Sequence, residues 1–323
     1  SLVVERMVLP KDHDDIMPPK GGPLAANEIN TIKQWIAEGA KWPEGIALRY
    51  KSPEELKAIA DLQAKLPTLK RLEILPEKFS LETKRDAHRV IVFATFQDAT
   101  TKDVSGLCDL KVVDPKIATL SGLDLKPVAD AGATELTATL GGQTVKAQIE
   151  VKGGQQDRPI SFRLDCMPVF MRGGCNQGGC HGAARGKDGF RTSLFGMDPA
   201  GDFIRITREM PGRRLNLAIP EESALIEKAV GAVPHSGNQC FEPDSIYNKT
   251  LIEWIANGAP DDRADVAKCT GIEVYPKQVV LEGKNATQKI TVRATYSDGT
   301  DRDVTNLALF MSNNDPTAAI SKD

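Results

Sequence analysis

Ala94 to Ser105 reads A-T-F-Q-D-A-T-T-K-D-V-S, and two hundred positions later Ala294 to Thr305 reads A-T-Y-S-D-G-T-D-R-D-V-T. The match extends upstream at the same offset: I-L-P-E-K-F-S-L from Ile74 is answered by V-Y-P-K-Q-V-V-L from Val274. Pro76/Pro276, Leu81/Leu281, Asp98/Asp298 and Asp103/Asp303 stand in register, so one structural unit is written twice. Its period is two. Ile290, Val292, Ala294 and Tyr296 alternate with Lys289, Thr291, Arg293 and Thr295, which puts the two sets on opposite faces of a strand. In the first copy, Leu136, Ala138 and Leu140, then Val145, Ala147, Ile149 and Val151, flank Gly141-Gly142, a hairpin signal. These features predict a β-sandwich over residues 71–154. A second over residues 270–323 stops before it could be complete.

A second repeat lies outside the first. K-Q-W-I-A-E-G-A around Trp35 is echoed by I-E-W-I-A-N-G-A around Trp254. Ile29, Ile32, Trp35 and Ile36 fall at helical spacing, and Gly39 is placed to stop that helix. A charged amphipathic pattern from Ser52 to about Leu66 predicts a helical linker over residues 48–70. The predicted order is a segment at 1–47, the linker, a sandwich, a helical region at 160–268, and half a sandwich. That order has the look of a window cut from a longer array.

The helical region holds C-N-Q-G-G-C-H from Cys175 to His181. It resembles the haem attachment motif of c-type cytochromes, C-x-x-C-H, with four residues between the cysteines instead of two. In such a motif each thiol adds across a haem vinyl group and the adjacent imidazole ligates iron. Gly178 and Gly179 suit the bulge that the longer insert requires. Met17-Pro18-Pro19 and the Trp35 helix resemble the C-terminal half of a class I cytochrome c, in which the methionine is a distal ligand. With no C-x-x-C-H before it, residues 1–47 read as half a domain, and further haem domains upstream are implied.

The run G-G-C-N-Q-G-G-C-H-G-A-A-R-G-K-D-G-F, then P-G-R-R-L-N, then G-A-V-P-H-S-G and the Trp254 helix, resembles the cytochrome domain of large planctomycete-type surface proteins. Those proteins alternate such domains with group 2 bacterial immunoglobulin-like (BIG2) domains, which the repeat resembles. The implied fold class is multidomain α + β, with an all-α class I cytochrome c-like domain flanked by all-β immunoglobulin-like sandwich domains.

The resemblance makes Cys175 and Cys180 the attachment thiols of one covalent haem c and His181 the proximal ligand. His235 is the only other histidine of the 160–268 region, and aligning the two Trp helices sets Val233-Pro234-His235 on Met17-Pro18-Pro19. His235 is therefore the expected distal ligand, with Cys240, Met197 and Met210 as competitors. Arg213 and Arg214 are candidates for the haem propionates, or else two solvated arginines. Trp254 either lies against the porphyrin edge or belongs to the core, and Phe190 and Phe195 are core residues first. The crossing of first and last helices in cytochrome c folds implies that Cys166 and Cys269 approach and form a disulfide. Cys108 reads as a buried thiol in a sandwich. Asp98, Thr100 and Asp103, with Asp298, Thr300 and Asp303, admit a calcium site, but turn chemistry is the commoner use of such residues.

A formal charge of −3 gives no electrostatic case for nucleic acid or an anionic membrane, and no apolar run is long enough to span a bilayer. No set of residues suggests substrate activation. The leading expectation is a non-enzymatic electron-transfer module outside the cytoplasm, in the periplasm or at the cell surface, working with redox partner proteins. One alternative is a structural zinc module built from Cys175, Cys180, His181 and either His235 or Cys240. Another is a surface adhesion or packing protein in which the haem is secondary.

Overall fold

The computed structural model describes residues 1–19, 23–41, 51–210, 212–281 and 283–321. The chain divides into two units, Ser1–Lys51 and Ser52–Asp323.

In the first unit, α1 (Leu2–Met7) and α2 (Ala26–Ala37) bury no residue fully. Ile29, Ile32 and Ile36 are half-buried along one face of α2 and Trp35 is exposed. The helix ends on Gly39 and Ala40, both with positive φ, and the Ala40 N–H donates to the Trp35 carbonyl at 2.9 Å. Met17, in the loop before α2, is 36% exposed. Lys20 to Gly22 of the quoted proline-rich stretch lie outside the described residues.

The second unit opens with α3 (Pro53–Gln63), capped by Ser52, whose hydroxyl accepts from Glu55 N–H while Glu55 accepts from Ser52 N–H. Ten strands follow: β1 (Leu69–Leu75), β2 (Lys78–Leu81), β3 (His88–Arg89), β4 (Ile91–Phe96), β5 (Thr101–Asp103), β6 (Asp109–Val112), β7 (Ala118–Ser121), β8 (Asp124–Pro127), β9 (Ala131–Leu140) and β10 (Gln143–Lys152). They form three small sheets, ordered β1-β4-β5, β2-β10-β9-β6 and β3-β8-β7. The hairpin at Gly141-Gly142 is present, with both glycines at positive φ as a tight two-residue turn requires. Its inward residues, Leu136, Ala138, Ala147, Ile149 and Val151, are buried with Leu72, Ile74, Phe79 and Leu81 in one core. Burying such a run of aliphatic side chains, at about 1.5–3 kcal/mol each, is what holds these short strands together.

The repeat is realised to the residue. In β1–β4, Leu72 pairs with Ala94 and Leu75 with Ile91. In β11 (Cys269–Tyr275) and β12 (Thr291–Tyr296), Ile272 pairs with Ala294 and Tyr275 with Thr291. A register irregularity falls at Leu69/Arg71 in one copy and at Cys269/Gly271 in the other. β13 (Asp301–Asp303) then pairs with β12 as β5 pairs with β4. Among the described residues the second copy has no equivalent of the β9–β10 hairpin, so it is a three-stranded sheet rather than a sandwich. Ile272 is 64% exposed where its counterpart Leu72 is 4% exposed.

The expected all-α class I cytochrome c-like domain flanked by all-β sandwiches does not form. The chain is about 23% helix and 23% strand, with four small sheets. Among the described residues of 160–268 the helical elements are a π-turn at Phe162–Cys166, two 3-10 turns and four short helices: α4 (Met167–Arg172), α5 (Pro199–Thr207), α6 (Ala224–Ala229) and α7 (Ile246–Ala256). The physical reason is local. Gly173 caps α4, Gly231 and Gly258 turn the chain at positive φ just after α6 and α7, Pro199 and Pro220 each open a new element at its first position, and the connections are held by turn hydrogen bonds. What these elements do share is a core of Phe162, Phe170, Phe203, Ile226, Leu251 and Trp254.

Candidate functional site

The Cys175–His181 loop begins where α4 ends. Gly174 has a φ of +73°, and the Cys175 N–H donates to the Phe170 carbonyl at 2.9 Å, so the cysteine is fixed to the last turn of the helix. The loop then closes on itself: His181 N–H donates to Cys175 O at 2.9 Å, and Cys180 and Gly182 N–H both donate to Gln177 O. A Cβ on Gly182 would lie 2.1 Å from Asn176 O, so no other residue fits there. Asn176 is fully buried inside the loop and its carbonyl accepts from Phe195 N–H.

The imidazole of His181 is aimed by the following strand-like segment. Thr192 N–H donates to His181 O at 2.8 Å, and His181 Nδ1 donates to Phe190 O at 2.9 Å. A carbonyl only accepts, so Nδ1 carries the ring proton and Nε2 keeps its lone pair. Burial draws the His181 pKa below its ordinary value, the Phe190 carbonyl pulls against this, and His235 adds to it.

His235 sits opposite on the loop after α6. Its Nδ1 donates to Asn238 O at 2.9 Å, which fixes the same tautomer. The ring lies against Gly237, where an added Cβ would come within 2.7 Å of Cε1. Lys187 and Lys228 clamp this loop from two sides, donating to the Ser236 and Pro234 carbonyls at 3.3 Å each. The two imidazoles are 6.4 Å apart between centroids, with ring planes only 11° from parallel.

Both rings line a cavity of about 310 Å3 whose walls include Phe170, Phe190, Ile206, Leu225 and Leu251. Such a volume is at the small end of ligand pockets, roughly 300–1,000 Å3. Cys175 and Cys240 face the same space with their Sγ atoms 4.0 Å apart. Cys175 is pushed well up in pKa, first by donating to Cys240 and then by burial, while Cys240, which accepts, is drawn down to about 7. The Thr192 hydroxyl, also on the wall, is buried and has no hydrogen-bond partner.

Arg213 and Arg214 both reach the cavity. Arg214 stacks over the Phe190 ring at 4.4 Å and donates to the Arg205 carbonyl at 3.0 Å, and burial lowers its pKa. Arg213 Nη1 lies 3.5 Å from Met210 Sδ. Cys180 is half-buried in the loop and does not line the cavity. Trp254 is elsewhere too. It is fully buried against Phe162 at 5.3 Å, and its Nε1 donates to Pro260 O, as Trp35 Nε1 donates to Lys41 O. Met197 is 83% exposed and away from the cavity, whereas Met210 is on its wall.

The other sequence expectations are resolved as follows. Cys166 is fully buried, Cys269 is exposed on β11, and both are free thiols, so the expected pair is not formed. Cys108 is a buried thiol pushed up to about 12 by burial. Asp98 and Asp298 accept from the N–H and hydroxyl of Thr100 and Thr300, and Asp103 and Asp303 from Ser105 and Thr305, which is turn chemistry. Among the described residues no three His, Cys, Asp or Glu side chains converge to hold a metal ion, so neither the calcium set nor the tetrahedral zinc set is assembled. Lys187, Lys228 and Thr192 were not expected at the site. Nothing in their spacing marks them, because they are brought in by turns far apart in the chain.

No family model matches the sequence, and no curated protein resembles it significantly. No helix among the described residues is long and apolar enough to cross a membrane.

Proposed function

We propose that this chain is an extracytoplasmic electron-transfer protein carrying one haem c, joined through Cys175 and Cys180, with His181 and His235 as axial imidazoles. The helical region is not a class I cytochrome c fold, so the reading rests on the site and not on the architecture. One observation carries it: two near-parallel imidazoles 6.4 Å apart, each with its Nδ1 proton tied to a carbonyl. The pinned Nδ1 protons leave both Nε2 lone pairs for a metal, the usual second interaction of a ligating histidine.

The residues lining the cavity suit a flat apolar group with an anionic edge, while Cys180, in the loop outside the cavity, would have to turn inward to reach a vinyl group. Phe170, Phe190, Ile206, Leu225 and Leu251 supply apolar walls that exclude water. Arg213 and Arg214 would pair with propionates, and the unpartnered Thr192 hydroxyl offers a donor from the wall. The absence of a convergent metal-binding cluster is compatible with this, because the macrocycle brings four donors of its own. When bound, haem supplies a one-electron couple at its iron. His181 and His235 together would hold both axial positions, which favours relay to and from redox partner proteins over catalysis on a substrate.

The test is an absorption spectrum with a pyridine haemochrome assay on protein matured in a host that attaches haem c. A Soret band that survives acid–acetone extraction and maps to the peptide with Cys175 and Cys180 is the expected result. A colourless product whose intact mass is that of the bare polypeptide overturns the reading.

A further inference from the structure

We propose that in the haem-free chain Cys175 and Cys240 form a reversible disulfide that locks the cavity and withholds Cys175 from cofactor attachment. The gating half rests on the function proposed above; the disulfide itself does not. The two Sγ atoms are 4.0 Å apart, and both thiols face the same cavity, open to small molecules. Their backbones are fixed independently. Cys175 N–H donates to Phe170 O at 2.9 Å, and Cys240 N–H to Ala229 O at 2.8 Å. Gly173 permits the approach, since a Cβ there would stand 3.3 Å from Cys175 Sγ and 3.4 Å from Cys240 Cβ. A disulfide needs the sulfurs at roughly 2.05 Å, so the link forms by side-chain rotation that brings the two Sγ atoms together from 4.0 Å. Cys180, the partner that the sequence alone would suggest, does not line this cavity.

The chemistry is thiol–disulfide exchange with a disulfide oxidant R–S–S–R. One cysteine, as thiolate, attacks a sulfur of R–S–S–R, forming a mixed disulfide and expelling RS−. The second cysteine's thiolate then attacks the protein sulfur of that mixed disulfide and expels the other RS−. The two cysteine protons end on the two released RSH molecules, so two thiols are oxidised and one disulfide is reduced. A dithiol reverses both steps. While the link stands, Cys175 has no thiol to add across a vinyl group.

The haem-free chain of residues 1–323, incubated with oxidised glutathione, is alkylated without reduction, digested with trypsin and mapped. The wild type and Cys180→Ala are each expected to give a linked peptide joining residues 173–185 to residues 229–249, lost on reduction and absent from Cys240→Ser. A Cys175–Cys180 link, or alkylation of Cys175 and Cys240 in full, overturns the proposal. Unalkylated, undigested portions of the same incubations are given ferrous haem. Wild type is expected to attach haem only after dithiol treatment, and Cys240→Ser without it. Equal attachment by the still-linked wild type overturns the gate. If no sample attaches haem even when reduced, the proposed function fails while the mapped disulfide stands.

Discussion

A histidine ligand is made as much by the hydrogen bond on its far nitrogen as by the nitrogen that binds. His181 and His235 are each held by a carbonyl two or more residues away, Phe190 O and Asn238 O, and neither ring is free to turn. His235 additionally depends on a missing side chain, because its ring occupies the volume in which a Gly237 Cβ would sit. Two substitutions should therefore have the same signature. In haem-loaded protein, His235→Ala is expected to convert a low-spin, six-coordinate spectrum to one with high-spin features, and Gly237→Ala to do so in part. Magnetic circular dichroism reads the change, and a low-spin spectrum unaltered in His235→Ala removes His235 from the iron. The thiol pair gives a contrast at the same scale. Cys175 and Cys240 are sixty-five positions apart, so their meeting at 4.0 Å could not be read from spacing, whereas the Cys175–His181 motif could.

At the scale of elements, one carboxylate organises the entrance to the helical region. Asp262, after α7, accepts from the N–H groups of Phe162 and Arg163 at 2.9 and 2.8 Å, a cap supplied from about a hundred residues away. Ser161 caps the same turn locally through Leu164 N–H. Asp262→Ala leaves two donors without that acceptor, one part-buried and one exposed, and at about 0.5–2 kcal/mol for a lost cap the thermal midpoint should fall by a few degrees. Asp262→Asn, which keeps one acceptor oxygen, should lose less. An unchanged midpoint for the alanine variant would show that water replaces the cap. A second carboxylate nearby behaves in the same way. Burial alone would raise the Asp165 pKa, but the two-pronged contact with Arg158 at 2.6 and 2.7 Å overrides it and holds the group ionised.

These elements also mark the limit of what the chain discloses before folding. The β repeat was legible because alternation, turn residues and a constant offset all act locally, and Leu72/Ile272 pair as their register requires. The helical region was misread because W-I-A-x-G-A fixes how a helix ends, not how long it is or what it crosses. Both copies do end alike, with Gly39 and Gly258 at positive φ and the following alanine bonded to the tryptophan carbonyl. The surrounding folds differ all the same, and Trp254 is buried where Trp35 is exposed. Of the site, Cys175, His181, His235 and Cys240, which line the cavity, could be picked out in the sequence. The lysine clamp, the orphaned threonine and the position of Cys180 depend on turns whose geometry is set by packing.

Across the second unit, the two copies of the β repeat are joined through charged residues of β13. Ser80 Oγ donates to Asp301 Oδ1, Arg89 N–H to Asp303 Oδ2 at 2.7 Å, and Thr291 Oγ1 lies 3.5 Å from Arg89 O. Arg302 adds a contact to Asp165 of the helical region at 3.9 Å. In the middle of this junction is His88, 1% exposed, packed at a tilt of 33° against Phe79 with ring centroids 4.2 Å apart, with Nδ1 3.9 Å from Asp303 Oδ2 and Nε2 without a partner. Burial holds its pKa below the ordinary 6.5, although Asp303, the Arg89 carbonyl and Asp301 all pull upward; Arg293 reinforces the lowering. The sign of the linkage follows. Above pH 6.5 His88 is neutral whether the chain is folded or not, and it contributes no pH dependence. As the pH falls through 6.5 the unfolded chain takes up a proton that the folded chain refuses, so stability drops, by at most about 1.4 kcal/mol per pH unit for one site, until the folded pKa is reached. The repeat supplies its own control, since Gln288 stands at the equivalent position of the second copy and does not titrate. The urea midpoint of the wild type is expected to decline from pH 7 to pH 5 more steeply than that of His88→Gln. Because the two proteins differ at position 88 alone, the difference in slope isolates His88. Parallel declines would place the acid sensitivity of the molecule somewhere other than this junction.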